Sequence, residues 1–220
     1  MDRVLFKYLS EERQYEIVHD LMPEDWYEWL EKEISKELEE YGFEDSRIAF
    51  DLSHSQGSGA SFTCNGIDVN SFYNKIKTED FDFQFRNPGI EADEDDIFMM
   101  ENLGIDTQNP IESLLTNSFW YGKVIRSKSR YYHERSTSLD LECESYFVVN
   151  SGEEDYENFE ITEETEVEIE HFHQYIRNYI DRWMENKNSE IHSRLDKEWK
   201  GWIKGEIEDL TENSELKWAP

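Results

Sequence analysis

Between Trp26 and Tyr41 the apolar residues Trp26, Trp29, Leu30, Ile34, Leu38 and Tyr41 fall at helical spacing. Pro23-Glu24-Asp25 reads as the helix start, because proline fits a first turn and acids there complement the helix dipole. Gly42 is a natural stop. The opposite face carries Glu28, Glu31, Glu37, Glu39 and Glu40. Ahead of this helix lie a short apolar start, Val4-Leu5-Phe6, and a weakly helical stretch to Leu21.

The period then changes to alternation. Ile48/Phe50/Leu52 and Ala60/Phe62/Cys64 predict two strands, Arg47–Ser53 and Ala60–Cys64, joined at Gln56-Gly57-Ser58-Gly59 as a hairpin. The pattern is weaker from 66 to 118. Ser71–Lys77 reads as a short helix, Phe81/Phe83/Phe85 as a short strand, and Asn87-Pro88-Gly89 as a turn. Ile111–Leu115 reads as one helical turn or more. Trp120–Tyr132 and Ser136–Val149 read as two long strands around His133-Glu134-Arg135. Segment 150–160 is an acidic loop.

From Thr162 the pattern is helical again, through Val167, Phe172, Ile176, Tyr179, Ile180 and Trp183. Asn186-Lys187-Asn188-Ser189 predicts a break or kink before a second stripe of Ile191, Leu195, Trp199, Trp202, Ile203, Ile207 and Leu210. The expected fold is α+β: a small antiparallel sheet, a long helix in the N-terminal half and long C-terminal helices. No repeat or Pro/Gly-rich linker divides the chain. One domain over 1–220 is expected, with a subdivision into 1–160 and 161–220 as the alternative.

Charge changes this picture more than any motif does. The chain holds 52 acidic and 22 basic residues, a net charge of −30. Self-repulsion on that scale opposes compaction, yet 15% of the residues are aromatic, enough to expect a folded body. Such a surface repels nucleic acid and anionic lipid, so direct binding to either is not expected. Two cysteines, Cys64 and Cys143, fit a reducing compartment, and neither a signal sequence nor a membrane-spanning run is visible. The expected location is the cytoplasm.

The densest acid lies from Glu153 to Glu170: Glu153, Glu154, Asp155, Glu157, Glu160, Glu163, Glu164, Glu166, Glu168 and Glu170, with no Lys or Arg between them. Duplex DNA carries one phosphate charge per about 1.7 Å of axis, and carboxylates along a helix or strand approximate such a line. The expected partner is therefore a basic protein surface built for nucleic acid. The candidate contacts are this cluster, the loop residues Glu91, Asp93, Glu94, Asp95 and Asp96, and Glu37 and Glu40 on the first long helix.

Catalytic and metal chemistry find less support. The Glu91–Asp96 loop lacks the glycine and the final glutamate of an EF-hand. His171 and His173 are spaced so that their rings leave opposite sides of a helix, which predicts an exposed polar surface with a modestly raised proton affinity amid carboxylates. Ser55–Phe62 has the wrong spacing for a nucleophile elbow and no lysine for a phosphate loop, so a tight turn is expected. No cofactor and no metal is expected. The tryptophans on helical stripes are assigned to the core, and Trp218 is the one expected to be exposed.

Three segments resemble a group of largely uncharacterised bacteriophage and prophage proteins. They are the helix ending in Tyr41-Gly42-Phe43 before Ser55–Phe62, the segment Tyr131-Tyr132-His133-Glu134, and the acidic, aromatic C-terminal helices. Ser58 stands where that group usually has aspartate. Some members carry an antitoxin label. The resemblance implies a phage origin, and small acidic phage proteins resemble inhibitors of restriction enzymes, CRISPR effectors and other DNA-binding proteins. The expectation is a non-enzymatic inhibitor that mimics DNA or RNA toward a host defence effector. The alternatives are an antitoxin-like neutraliser and a carboxylate- or metal-dependent enzyme, for which His133 and Glu134 are a further foothold.

Overall fold

A computed structural model describes residues 4–53, 58–79, 118–127, 132, 135–145, 163–213 and 217–218. The fold is α+β, with four helices and short antiparallel strand pairs among those residues. The expected strand at Phe81–Phe85, the turn at Asn87–Gly89 and the segment Ile111–Leu115 lie outside them. So do Gln56-Gly57, His133-Glu134 and both acidic loops.

Strand β1, Val4–Leu5, leads through a 3-10 turn into helix α1, Glu11–Leu21. Ser10 caps α1, its hydroxyl accepting from the Arg13 N–H at 3.3 Å. Helix α2 spans Glu28–Glu40 and so begins later than Pro23-Glu24-Asp25. The intervening residues close turns instead, with Trp26 N–H donating to the Pro23 carbonyl and Glu28 N–H to that of Asp25. This places the Trp26 and Tyr27 rings edge-on against Phe50. Leu30, Ile34 and Leu38 form the buried stripe of α2. Trp29 is 53% exposed, contrary to its assignment to the core. It lies about 100° around the helix from Leu30, off the stripe.

Gly42 ends α2 with a φ of 84°, and a Cβ there would lie 2.3 Å from the Asp68 carbonyl oxygen. Strand β2, Phe43–Glu44, pairs with β5, Gly66–Ile67. Between them β3, Arg47–Asp51, and β4, Gly59–Thr63, form the expected antiparallel hairpin, with Ile48 opposite Phe62. Helix α3 spans Val69–Glu79. Strands β6, Ser118–Arg126, and β7, Thr137–Ser145, form the second hairpin; β6 starts before Trp120 and has ended by Ser127, and residues 146–149 of the second expected strand lie outside the described residues. Paired backbone bonds of 3.2 Å between Cys64 and Val124 tie β4 to β6.

Helix α4, Glu163–Asn213, is a single helix of 51 residues, about 77 Å long. It passes through Asn186–Ser189 without the expected break. Ile176, Ile180, Met184, Ile191, Leu195, Trp199 and Ile203 are buried along it. Where this stripe would lapse, Lys187 and Asn188 are buried too, because α2 and β4 supply their polar partners. The stripe packs on β4, β7, α1 and the 3-10 turn. Phe43 is fully buried at the centre, stacked on Trp183 at 5.2 Å and edge-on to Phe62 and Phe72.

Strand β8, Lys217–Trp218, pairs with β1 and brings the two ends of the chain together. Trp218 is therefore half-buried, its ring edge-on to Phe6, and not the exposed tryptophan expected. No helix among the described residues is long and apolar enough to cross a membrane.

Candidate interaction surface

Strand β6 divides its side chains by parity. Trp120 and Val124 turn inward and are buried. Phe119, Tyr121 and Ile125 turn outward and are 58%, 40% and 41% exposed. Opposite them on β7 stand Glu142, facing Tyr121, and Asp140, facing Lys123. The Tyr121 hydroxyl donates to Glu142 Oε2 at 2.5 Å, and Lys123 Nζ lies 3.6 Å from Asp140. The outer face of this hairpin therefore mixes exposed aromatic rings with carboxylates.

Next to it a cleft of about 500 Å³ opens between the β5–α3 junction and residues 119–122. Asp68 caps α3, its carboxylate accepting from the N–H groups of Asn70 and Ser71 and from the Ser71 hydroxyl. Glu44 lies across Gly66: a Cβ there would fall 2.7 Å from Glu44 Oε2. Tyr121 also borders a second hollow of about 250 Å³, with Lys123, Asp140 and Glu142.

Among the described residues, ten of the cations are engaged with the chain's own carboxylates. Arg13, Lys32, Lys75, Lys123, Arg135, Arg177, Lys187, Arg194, Lys200 and Lys204 each pair with a carboxylate of the same chain. Three of the expected partner contacts, Glu37, Glu40 and Glu170, serve these pairs. Glu37 is bonded to the buried Lys187 and to Arg194, and Glu40 to Lys75 at 3.0 Å. Burial acts to raise the Glu37 carboxyl, but hydrogen bonds and charge from Lys187 and Arg194 hold it below the usual carboxylate range. Glu37 is therefore an internal structural group as well as a surface acid.

Glu170 is exposed on α4, 3.4 Å from Arg177. It stands roughly 25 Å along the helix from Lys187, so the structure does not gather it with Glu37. Glu163, Glu164, Glu166 and Glu168 lie on the first turns of the same helix. Glu153, Glu154, Asp155, Glu157 and Glu160, and Glu91, Asp93, Glu94, Asp95 and Asp96, lie outside the described residues.

His173 overturns its expectation of exposure. It is 4% exposed, edge-on to Trp120, with Nε2 3.2 Å from Cys143 Sγ. Burial lowers its proton affinity, which Glu170 only partly restores, so the expected raised affinity is also reversed. A neutral imidazole offers no ion-pair partner to a thiolate, and the Cys143–His173 pair packs β7 against α4. Because the folded state holds His173 below its unfolded value, the neutral ring stabilises the fold above about pH 6.5, and that contribution is lost as pH falls through the lowered value. Urea titrations from pH 7.5 to 5 are expected to show the native protein losing stability relative to His173→Gln. Parallel curves would sink this assignment.

Neither the cleft nor the Cys143–His173 pair was legible as a site, because each joins distant segments with no shared motif. Among the described residues, no three His, Cys, Asp or Glu side chains gather as a metal site requires. Compared with known proteins, the chain matches no family model, no curated protein and no solved structure.

Proposed function

We propose that this chain is a non-enzymatic inhibitor that occupies a basic, nucleic-acid-binding surface of a bacterial defence protein. The observation that carries this reading is the disposition of charge. Ten of the described cations already pair with carboxylates of the same chain, while the chain keeps a net charge of −30. An approaching basic groove meets acid held on a packed aromatic core. Such complementarity accelerates encounter and selects partners more than it adds affinity. The resemblance of Ser55–Phe62 and Tyr131–Glu134 to phage proteins supports the choice of a defence protein as partner.

The test uses a partner captured from host lysate at low salt and its own labelled duplex DNA. The chain is expected to displace the DNA. Reversing Glu163, Glu164, Glu166 and Glu168 to lysine is expected to weaken binding about tenfold or more at low salt and to flatten its salt dependence. Displacement unchanged by that reversal and by roughly 0.5 M salt would exclude mimicry. The exposed rings of Phe119, Tyr121 and Trp29 favour a second reading, a protein-specific neutraliser anchored by shape. Binding that resists salt but falls with Phe119→Ala would select it.

A further inference from the structure

We infer that the cleft between the β5–α3 junction and β6 receives an arginine side chain from an extended basic segment of the partner. This rests on the reading of a basic partner and names the chemistry by which one part of the surface would hold it.

The first reason is the pairing of ring faces with carboxylates. Phe119 and Tyr121 are two residues apart on one strand face, with centroids 6.0 Å apart and planes inclined by 34°. Both rings are substantially exposed. Glu44 and Asp68 border the same cleft from the other side, and Glu142 stands behind Tyr121. A guanidinium is planar, always charged and weakly hydrated. It can lie on an aromatic face while its edge N–H groups reach a carboxylate. A lysine ammonium satisfies only the charge.

The second reason is charge left for a partner. Among the described residues, neither Glu44 nor Asp68 forms an ion pair. Asp68 holds its position through the α3 cap, and its charge remains. Lys123, the cation of this chain on the same sheet face, is turned to Asp140 in the second hollow. The chain already uses the proposed geometry on this hairpin: the Arg126 guanidinium lies 4.1 Å from the centroid of the Tyr132 ring. The volume, about 500 Å³, suits one long side chain and the backbone that carries it.

The test measures calorimetric binding of a short Gly-Arg-Gly-Arg-Gly peptide to the full chain at low salt, beside its lysine and citrulline counterparts. The arginine peptide is expected to bind at least threefold tighter than lysine and at least tenfold tighter than citrulline. Tyr121→Leu, which keeps apolar bulk but removes the π face, and Glu44→Gln are each expected to weaken arginine-peptide binding about fivefold. Tyr121→Phe is expected to retain it. Glu12→Gln on α1 makes the same change in net charge as Glu44→Gln and is expected to change binding less than twofold. Equal losses in Glu12→Gln and Glu44→Gln would overturn the cleft while leaving a basic partner intact. Equal binding of lysine and arginine peptides, or no binding of the arginine peptide, would also overturn it. Undiminished binding of the citrulline peptide would count against both the cleft and the charge reading.

Discussion

Glu37→Ala is expected to destabilise the fold by about 3 kcal/mol, more than deleting the buried charge that Glu37 faces. Lys187 is 6% exposed and points its ammonium at Glu37 on α2 and at Glu190, 3.0 Å away on its own helix. Arg194 reaches Glu37 at 2.6 Å and Glu33 at 2.7 Å. With alanine at 37, the Lys187 charge stays desolvated and keeps only half-exposed Glu190. Breaking one side of a buried pair costs about 3–5 kcal/mol, and the surviving Glu190 contact puts this case at the lower end.

Lys187→Met removes the charge together with its need for a partner. The thioether chain can still pack near the Tyr41 ring, which the Lys187 ammonium approaches at 5.7 Å. Glu37 keeps Arg194. The expected cost is about 1 kcal/mol. In the double variant the costs are expected to fall short of their sum, because each change removes the reason for the other. The Glu37 carboxyl is held below its unfolded value, so its contribution is present above the usual carboxylate range and lost as pH falls through the lowered value. The gap between native protein and Glu37→Ala is therefore expected to narrow in acid. Denaturant titrations of the four proteins test this, and a Lys187→Met cost equal to that of Glu37→Ala would show that the buried charge does not decide the effect.

Local pattern carried much of the fold. The Leu30/Ile34/Leu38 stripe, the stop at Gly42, the Arg47–Thr63 hairpin and the α4 stripe all follow from spacing that the chain itself displays. The failures share one cause. Asn186–Ser189 looked like a break because polar side chains interrupt the apolar stripe there. Their partners, Phe62 and Glu37, lie 126 and 150 residues away. His173 looked exposed because its neighbours in sequence are carboxylates, while its neighbours in space are Trp120 and Cys143. The cleft was invisible for the same reason, since Glu44, Asp68 and Tyr121 come from three segments. The acid excess was legible throughout, but composition could not show which acids serve internal pairs. Glu37 does, and this removes it from any simple count of outward charge.

Asn188→Leu is expected to cost about 3 kcal/mol, because Asn188 is the polar hook by which α4 holds the sheet. It has no exposed surface. Its Oδ1 accepts the Phe62 N–H of β4 at 3.0 Å, and its Nδ2 lies 3.4 Å from the Thr137 hydroxyl at the start of β7. One side chain thus satisfies a donor of β4 and reaches the second hairpin. Leucine is of similar size but offers no acceptor. An orphaned buried N–H costs about 1–3 kcal/mol, and loss of the Thr137 contact and imperfect packing add to it. The Phe62 amide is expected to lose hydrogen-exchange protection beyond the global change in stability. Asn188→Asp separates the missing acceptor from the altered shape. Its carboxyl can still accept from Phe62, but burial would raise its proton affinity. A group raised in the folded state stabilises at low pH and ceases to do so as pH rises, so Asn188→Asp is expected to lag the native protein at pH 7 and to regain ground toward pH 5. If Asn188→Leu matched the native protein in stability, or if the aspartate variant were equally impaired at both pH values, the hook would not be what joins α4 to the sheet.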